Sequence, residues 1–347
     1  MTSPVRVLGL VVAGLMLAAG VAVPVAPANA DADGPPVLTG KTTRTKTSVV
    51  QHTRVRWKGK WKNPTYIKSV GVPGIGTLDL VCLPNNTMIR LGVNHRSLET
   101  QMWMQKFEKK NRRYVVAVKN ARVYQYANIY DDGTGGTGFY THEGLNKKPG
   151  VENRSRGSYM YGVISQRAGR NADGSSVTTR PVTTFEMTWN WNNLNKQRRK
   201  QSCTIDIKLT THFDRRMSLT WHGEADGSPR EKSWILPGIG RLFLSCPAGG
   251  EERPSIWLNP YTDDARLYIE DVEGEGLVPL HRTEVSLGYD DSTGLVGPYP
   301  LPSNGSLRIQ ATRAGNERWL MLSSLFKLND PDPQRNFCEV ATGYYDR

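Results

Sequence analysis

Apolar and polar residues alternate with a period of two along much of this chain, the pattern of strands with one buried face and one wet face. Thr53-Arg54-Val55-Arg56-Trp57-Lys58 alternates, as do Leu78, Leu80 and Cys82, and Leu242, Leu244 and Cys246. Segments 114–118, 122–126, 204–209, 266–269 and 307–309 read the same way. Turn signals fall at Asn63-Pro64, Asp173-Gly174, Asp226-Gly227 and Asn304-Gly305, because Gly, Asn and Asp accept backbone angles that other residues avoid. Only 96–110 carries a pattern suited to a helix. Short strands at this spacing predict an all-β protein of β-sandwich or barrel-like domains.

The pattern repeats at an offset of 164 residues. Residues 57–82, WKGKWKNPTYIKSVGVPGIGTLDLVC, match 221–246, WHGEADGSPREKSWILPGIGRLFLSC, at 11 of 26 positions without a gap. Chance would give about one or two. Tyr130-Asp131-Asp132-Gly133-Thr134-Gly135 pairs with Tyr289-Asp290-Asp291-Ser292-Thr293-Gly294, and each copy closes on an aromatic stretch followed by a Cys. This predicts two tandem copies of one domain, a basic copy at 49–213 and an acidic copy at 214–347. Pro-Gly-Ile-Gly is expected to turn tightly into the Cys strand of each copy.

Residues 1–30 read as a Sec-type signal peptide. Arg6 precedes an apolar run, and Ala28-Asn29-Ala30 offers a small-x-small cleavage site. The mature chain then opens with a basic lead-in, 31–48, and carries no transmembrane helix. It is expected to be secreted or cell-wall associated. Thiols oxidise there, so Cys82, Cys203, Cys246 and Cys338 read as two disulfides. One staple per copy selects Cys82–Cys203 and Cys246–Cys338 from the three connectivities.

Charge divides the copies. Residues 31–213 hold 30 Lys+Arg against 12 Asp+Glu, a net +18; residues 214–347 hold 14 against 20, a net −6. Lys58, Lys60 and Lys62 align with His222, Glu224 and Asp226. Basic residues concentrate in three places: 37–70, interleaved with Trp57, Trp61 and Tyr66; 106–122; and Lys196 to Lys200. An insertion within 141–176 adds six more. A positive field with aromatics attracts polyanions outside the cell. The expected ligand-binding residues are Lys58, Lys60, Trp61, Lys62, Lys109, Lys110, Arg112, Arg113, Trp191, Arg198, Arg199 and Lys200. Their partners would be an anionic polysaccharide, teichoic acid, another polyanion or the envelope surface. Trp57 and Trp221, matched across the copies, are expected in the cores, whereas Trp61, Trp103 and Trp191 are expected at the surface. Acidic and basic copies could also dock on one another, making self-association a further expectation.

Little in the chain advertises catalysis. Gly133 to Gly138 fits a dinucleotide-loop pattern but opens no helix, and His142-Glu143 lacks the second His of a zincin helix. No Gly-x-Ser-x-Gly elbow is present. The paired acids Asp131, Asp132, Asp290 and Asp291 suit either hairpin turns or Ca²⁺, the one metal or cofactor the sequence brings into view. The Pro-Gly-Ile-Gly…Cys element and the Val/Ala-rich signal resemble those of exported actinobacterial proteins. That resemblance covers only these segments and brings no activity with it. The reading is a secreted, non-catalytic binding protein. A secreted polysaccharide hydrolase and a self-assembling envelope component are the alternatives.

Overall fold

The computed structural model describes residues 41–345 apart from 46, 62–65, 84–85, 95–99, 111–112, 125–135, 138–139, 146–157, 167, 171–175, 178–180, 193–195, 215, 250–251, 274–275 and 280. Residues 1–30 and half of 141–176 lie outside the described residues. In chain order the first lobe gives β1 (Lys41–Arg44), β2 (Ser48–Lys58), β3 (Ile67–Val72), β4 (Gly76–Leu83), β5 (Asn86–Val93), β6 (Thr100–Lys110) and β7 (Arg113–Tyr124). It continues with β8 (Gly136–Thr137), β9 (Tyr140–Gly144), β10 (Ser158–Gln166), β11 (Ala168–Arg170), β12 (Ser176–Val177), β13 (Val182–Asn192) and β14 (Ser202–His212). The second lobe gives β15 (Arg216–His222), β16 (Glu231–Leu236), β17 (Gly240–Ser245), β18 (Ser255–Pro260), β19 (Arg266–Glu273) and β20 (Gly276–Pro279). It ends with β21 (His281–Asp290), β22 (Leu295–Pro300), β23 (Asn304–Arg313), β24 (Asn316–Lys327) and β25 (Phe337–Tyr344). The described chain is all-β, with two single 3₁₀ turns at Arg198–Lys200 and Pro333–Arg335.

In the first lobe a large sheet runs β1-β2-β14-β13-β10-β6-β7-β20, and a small sheet runs β3-β4-β5-β9. Alternate side chains from both meet in one core: Trp57, Leu78, Leu80, Ile89, Leu91, Met102, Met104, Phe185 and Ile205 among them. The second lobe is built on a single ten-stranded sheet, β15-β25-β24-β23-β19-β21-β22-β18-β17-β16. It folds over its own core of Trp221, Leu242, Leu244, Ile256, Leu267, Ile309 and Val340. Its two end strands meet, with Lys232 Nζ of β16 donating to Ser218 O of β15 at 2.7 Å, so the sheet comes close to a closed barrel.

The two lobes share a strand order. The run β2-β14-β13-β10-β6-β7 has its counterpart in β15-β25-β24-β23-β19-β21, and β3-β4-β5-β9 in β16-β17-β18-β22. The disulfides join Cys82 to Cys203 and Cys246 to Cys338. Trp57 lies opposite Cys203 and Trp221 opposite Cys338, both indoles in the cores. The Pro-Gly-Ile-Gly turns also agree. Ile75 N donates to Val72 O and Ile239 N to Leu236 O, each at 3.0 Å. Gly74 and Gly238 have φ of 73° and 81°, a region that favours glycine. Gly76 and Gly240 follow where a Cβ would fall 1.9 Å from Gly92 O and 2.4 Å from Asn259 O.

The segment 96–110, expected as helical, holds β6 instead. Met102 and Met104 face the first core, while Trp103 faces a third cluster with Tyr161, Val163, Val182, Met321, Ala341 and Tyr345. A strand buried on both faces loses its alternation, and its apolar run can be mistaken for a helix. Segments 114–118 and 122–126 fall largely in the single strand β7. Asn304-Gly305 opens β23 rather than making a turn; a Cβ on Gly305 would meet the Pro302 ring at 2.7 Å.

Leu38–Arg347 form one compact unit, and the third cluster explains why. The large sheet of each lobe turns its outer face to the other. Gln105 Nε2 donates to Val272 O at 2.7 Å, and Thr184 Oγ1 to Tyr344 O at 3.1 Å. Strand β20 of the second lobe extends the first large sheet by pairing with β7.

Candidate basic surface and a seam cavity

Two of the three basic concentrations meet at one end of the first large sheet. Lys58, the last residue of β2, lies opposite Ser202, which opens β14. The chain beyond β2 then packs on the 3₁₀ turn before β14, with Gly59 N donating to Gln201 O at 2.9 Å. Glycine is required there, because a Cβ on Gly59 would meet Arg198 O at 1.7 Å. This contact brings Lys58, Lys60 and Trp61 beside Lys196, Arg198, Arg199 and Lys200. Lys60 and the 196–200 cations are exposed, Lys58 is half-buried, and Trp61 is 40% exposed. Neither 58–61 nor 196–201 contains an acid.

Strand register carries Lys109, Lys110 and Arg113 of the third concentration to the same end. Ser202 pairs with Asn192, Trp189 with Ser158, and Tyr159 with Phe107. Following these pairs across the sheet, the β6–β7 tip at Lys109, Lys110 and Arg113 falls level with the end of β2, four strand spacings away, about 19 Å. Lys62 and Arg112 lie outside the described residues. Lys106 does not join this end as a surface charge. It is buried, donating to Glu143 Oε1 at 2.8 Å and to Gly144 O at 2.9 Å.

Trp103 and Trp191, expected at the surface, are buried at 2% and 6% exposure. Trp191 shares its face of β13 with Trp189, as the two-residue spacing implies, but that face is the core: its ring lies 5.8 Å from Trp57 and its N–H donates to Thr87 Oγ1. Trp103 sits on the opposite face of its strand, which the second lobe covers. Burial of a second sheet face is decided by tertiary packing, so spacing alone could not separate these indoles from Trp61.

The matching end of the second lobe has another composition. Gly223 N donates to Asn336 O at 2.7 Å, placing the 223–226 loop on the 330–336 segment. Asn336 Nδ2 donates to Glu224 Oε1 at 2.8 Å; Asp226 accepts from His222 N and Ser228 N, each at 2.9 Å. His222 pairs with Glu339 in the interior. Asp330 and Asp332 pair with Lys327 and Arg335. Asp290 caps its own hairpin, its Oδ1 accepting from Ser292 N at 2.9 Å and Ser292 Oγ at 2.7 Å. These hydrogen bonds lower its carboxyl pKa. Asp291 follows in the same turn, while Asp131 and Asp132 lie outside the described residues. Among the described residues, no group of three or more His, Cys, Asp or Glu could hold a metal ion.

A cavity of about 470 Å³ opens on the outer face of the second large sheet, beside the seam between the lobes. Two cross-strand rows form its floor. One runs Trp319, Gln310, Tyr268 and Ser286 across β24, β23, β19 and β21; the other brings Arg308, Glu270 and Glu284 together on β23, β19 and β21. Arg308 reaches the first lobe, 3.4 Å from Glu186, and also meets Glu270 at 3.6 Å and the Tyr345 hydroxyl at 3.2 Å. Burial pulls its pKa down, but neighbouring Tyr159 and Tyr345, with Glu270, more than offset this, so Arg308 stays charged. Burial pushes the Tyr159 and Tyr161 hydroxyls well above their usual range. Nothing in the sequence singles these residues out. Tyr268 with Glu270, and Arg308 with Gln310, scan as the wet face of ordinary strands.

No protein family, curated protein or solved structure matches the chain. No helix among the described residues is long and apolar enough to cross a membrane.

Proposed function

We propose that this is an exported, non-catalytic binding protein whose first lobe holds an anionic polymer, a teichoic acid or acidic polysaccharide, along its basic sheet end. The observation that carries the reading is the convergence of Lys58, Lys60, Arg198, Arg199 and Lys200 around exposed Trp61, with the β6–β7 tip level with them. Like charges gathered in one place raise the local potential and attract polyanions, whereas scattered charges mainly confer solubility. The indole offers a face for stacking on a sugar.

Export is supported by residues 1–30 and by both disulfides, which persist in oxidising compartments. A duplicated ancestry is supported by the common strand order, the equivalent disulfides and the paired glycine turns. On this reading one copy kept a cationic end, and the other replaced it with Glu224, Asp226, Asp330 and Asp332.

The test uses residues 31–347 on immobilised heparin and on purified wall teichoic acid. The expected result is retention at low salt and release by moderate salt, since counterion release makes such binding salt-dependent. The variant Lys58→Gln/Lys60→Gln/Arg198→Gln/Arg199→Gln/Lys200→Gln should elute markedly earlier with an unchanged melting temperature. Flow-through of the parent chain at low salt, or equal retention of the variant, overturns the reading.

A further inference from the structure

The seam cavity plays no role in polyanion binding as proposed above, and its chemistry is of another kind. Its floor combines acceptors and donors at close spacing: the Glu270 and Glu284 carboxylates opposite each other across β19 and β21, the Gln310 amide, and the Arg308 guanidinium. Aromatic rings stand on either side of Gln310. Tyr268 is 42% exposed and Trp319 is half-buried, and the register sets them two strand spacings apart, about 10 Å. The cavity falls within the ordinary size range for small-molecule sites; its lining residues all come from the second lobe, with Arg308 reaching across to the first.

Each class of ligand can be weighed against these groups. Two carboxylates on the floor oppose a phosphate or another anion. A wholly apolar ligand would strip water from Glu270, Glu284 and Gln310 without replacing its hydrogen bonds. A sugar ring suits the arrangement. Every hydroxyl both donates and accepts, so it can donate to a carboxylate while accepting from an amide or guanidinium. The ring's C–H face is apolar enough to lie on Trp319 or Tyr268. Arg308 is already fixed by Glu186, Glu270 and Tyr345, which lowers the ordering cost of binding.

We infer that the seam cavity binds an uncharged sugar unit of a glycan, with Trp319 and Tyr268 as stacking faces and Glu270, Glu284 and Gln310 as hydrogen-bonding groups. The site is separate from the basic sheet end. It would let one chain hold a neutral glycan at its second lobe and a charged polymer at its first.

The experiment offers residues 31–347 four neutral probes, cellohexaose, maltohexaose, mannohexaose and N-acetylated chitohexaose, read by saturation-transfer NMR and by calorimetry. At least one is expected to bind. Trp319→Ala should weaken that binding at least tenfold. Ser286→Trp, which fills the cavity from a solvent-facing strand position and leaves the core untouched, should abolish it while keeping the parent melting temperature. The five-site variant of the basic end should bind the same probe as the parent does, which separates the two sites. Shortening of the bound probe would support the assignment as well and would overturn the non-catalytic part of the reading above. If none of the four probes binds at millimolar concentration, or if folded Ser286→Trp binds as the parent does, the inference is overturned.

Discussion

Single side chains here take their properties from the depth at which the sheets set them. Lys232 is the counterpart of Lys68, and each donates to a strand carbonyl, Ser218 O at 2.7 Å and Arg54 O at 3.0 Å. Burial, with the nearby Arg216 charge adding to it, lowers the Lys232 pKa to about 8. The unfolded chain keeps this ammonium to about pH 10.4. Between those values the unfolded state binds more protons, so this group makes stability rise with pH from about 8 to about 10.4. Denaturant titrations of the parent and of Lys232→Met across pH 7–10.5 should therefore diverge, the parent gaining on the variant as pH increases. Parallel curves would show that Lys232 titrates alike in both states.

Elements come next, and their least tolerant points are glycines at turns and crossings. The β3–β4 and β16–β17 hairpins each turn through a positive-φ glycine and then press a second glycine against the neighbouring strand. Gly76→Ala would drive a methyl group into Gly92 O, which lies 1.9 Å from the Cβ position. The β4–β5 pairing would have to open. The expected cost is upward of about 2 kcal/mol, in the range of overpacked or strained backbone sites. Gly71→Ala, where no atom lies within 4 Å of the added methyl, is the matched control and should cost less than about 1 kcal/mol. Chemical denaturation of the two variants checks this.

Over the whole molecule, the shared cluster decides how the two lobes behave. Trp103, Tyr161 and Val182 from the first lobe pack on Met321, Ala341 and Tyr345 from the second. Gln105 adds a buried hydrogen bond across the seam. Each lobe has its own core and its own disulfide, yet neither covers its large sheet alone. We therefore expect one calorimetric transition for the oxidised chain. Trp103→Ala, a buried truncation of the kind that costs about 3–5 kcal/mol, should lower that transition or split it in two. A parent chain that already melts in two independent steps would show that the seam contributes little coupling.

Much of this was legible in the residues themselves. Alternation at 53–58, 78–82 and 242–246 marked strands, since side-chain direction in a strand follows from the backbone alone. The offset of 164 residues aligned Cys82 with Cys246, and one bond per copy then gave Cys82–Cys203 and Cys246–Cys338, the bonds that form. The turn at Pro-Gly-Ile-Gly was equally local. What the residues left open were the surfaces that strands present to other strands. β6 resembled a helix because both its faces are covered, Trp191 resembled a platform because its strand could have faced either way, and Glu270 and Glu284 meet only through a register between β19 and β21. The sequence by itself determined period and punctuation, which are set by neighbours along the chain, and its internal repeat selected the covalent pairing. The tertiary structure decided which second faces are dry, which charges converge and where a cavity remains, because each depends on contacts between residues far apart in sequence.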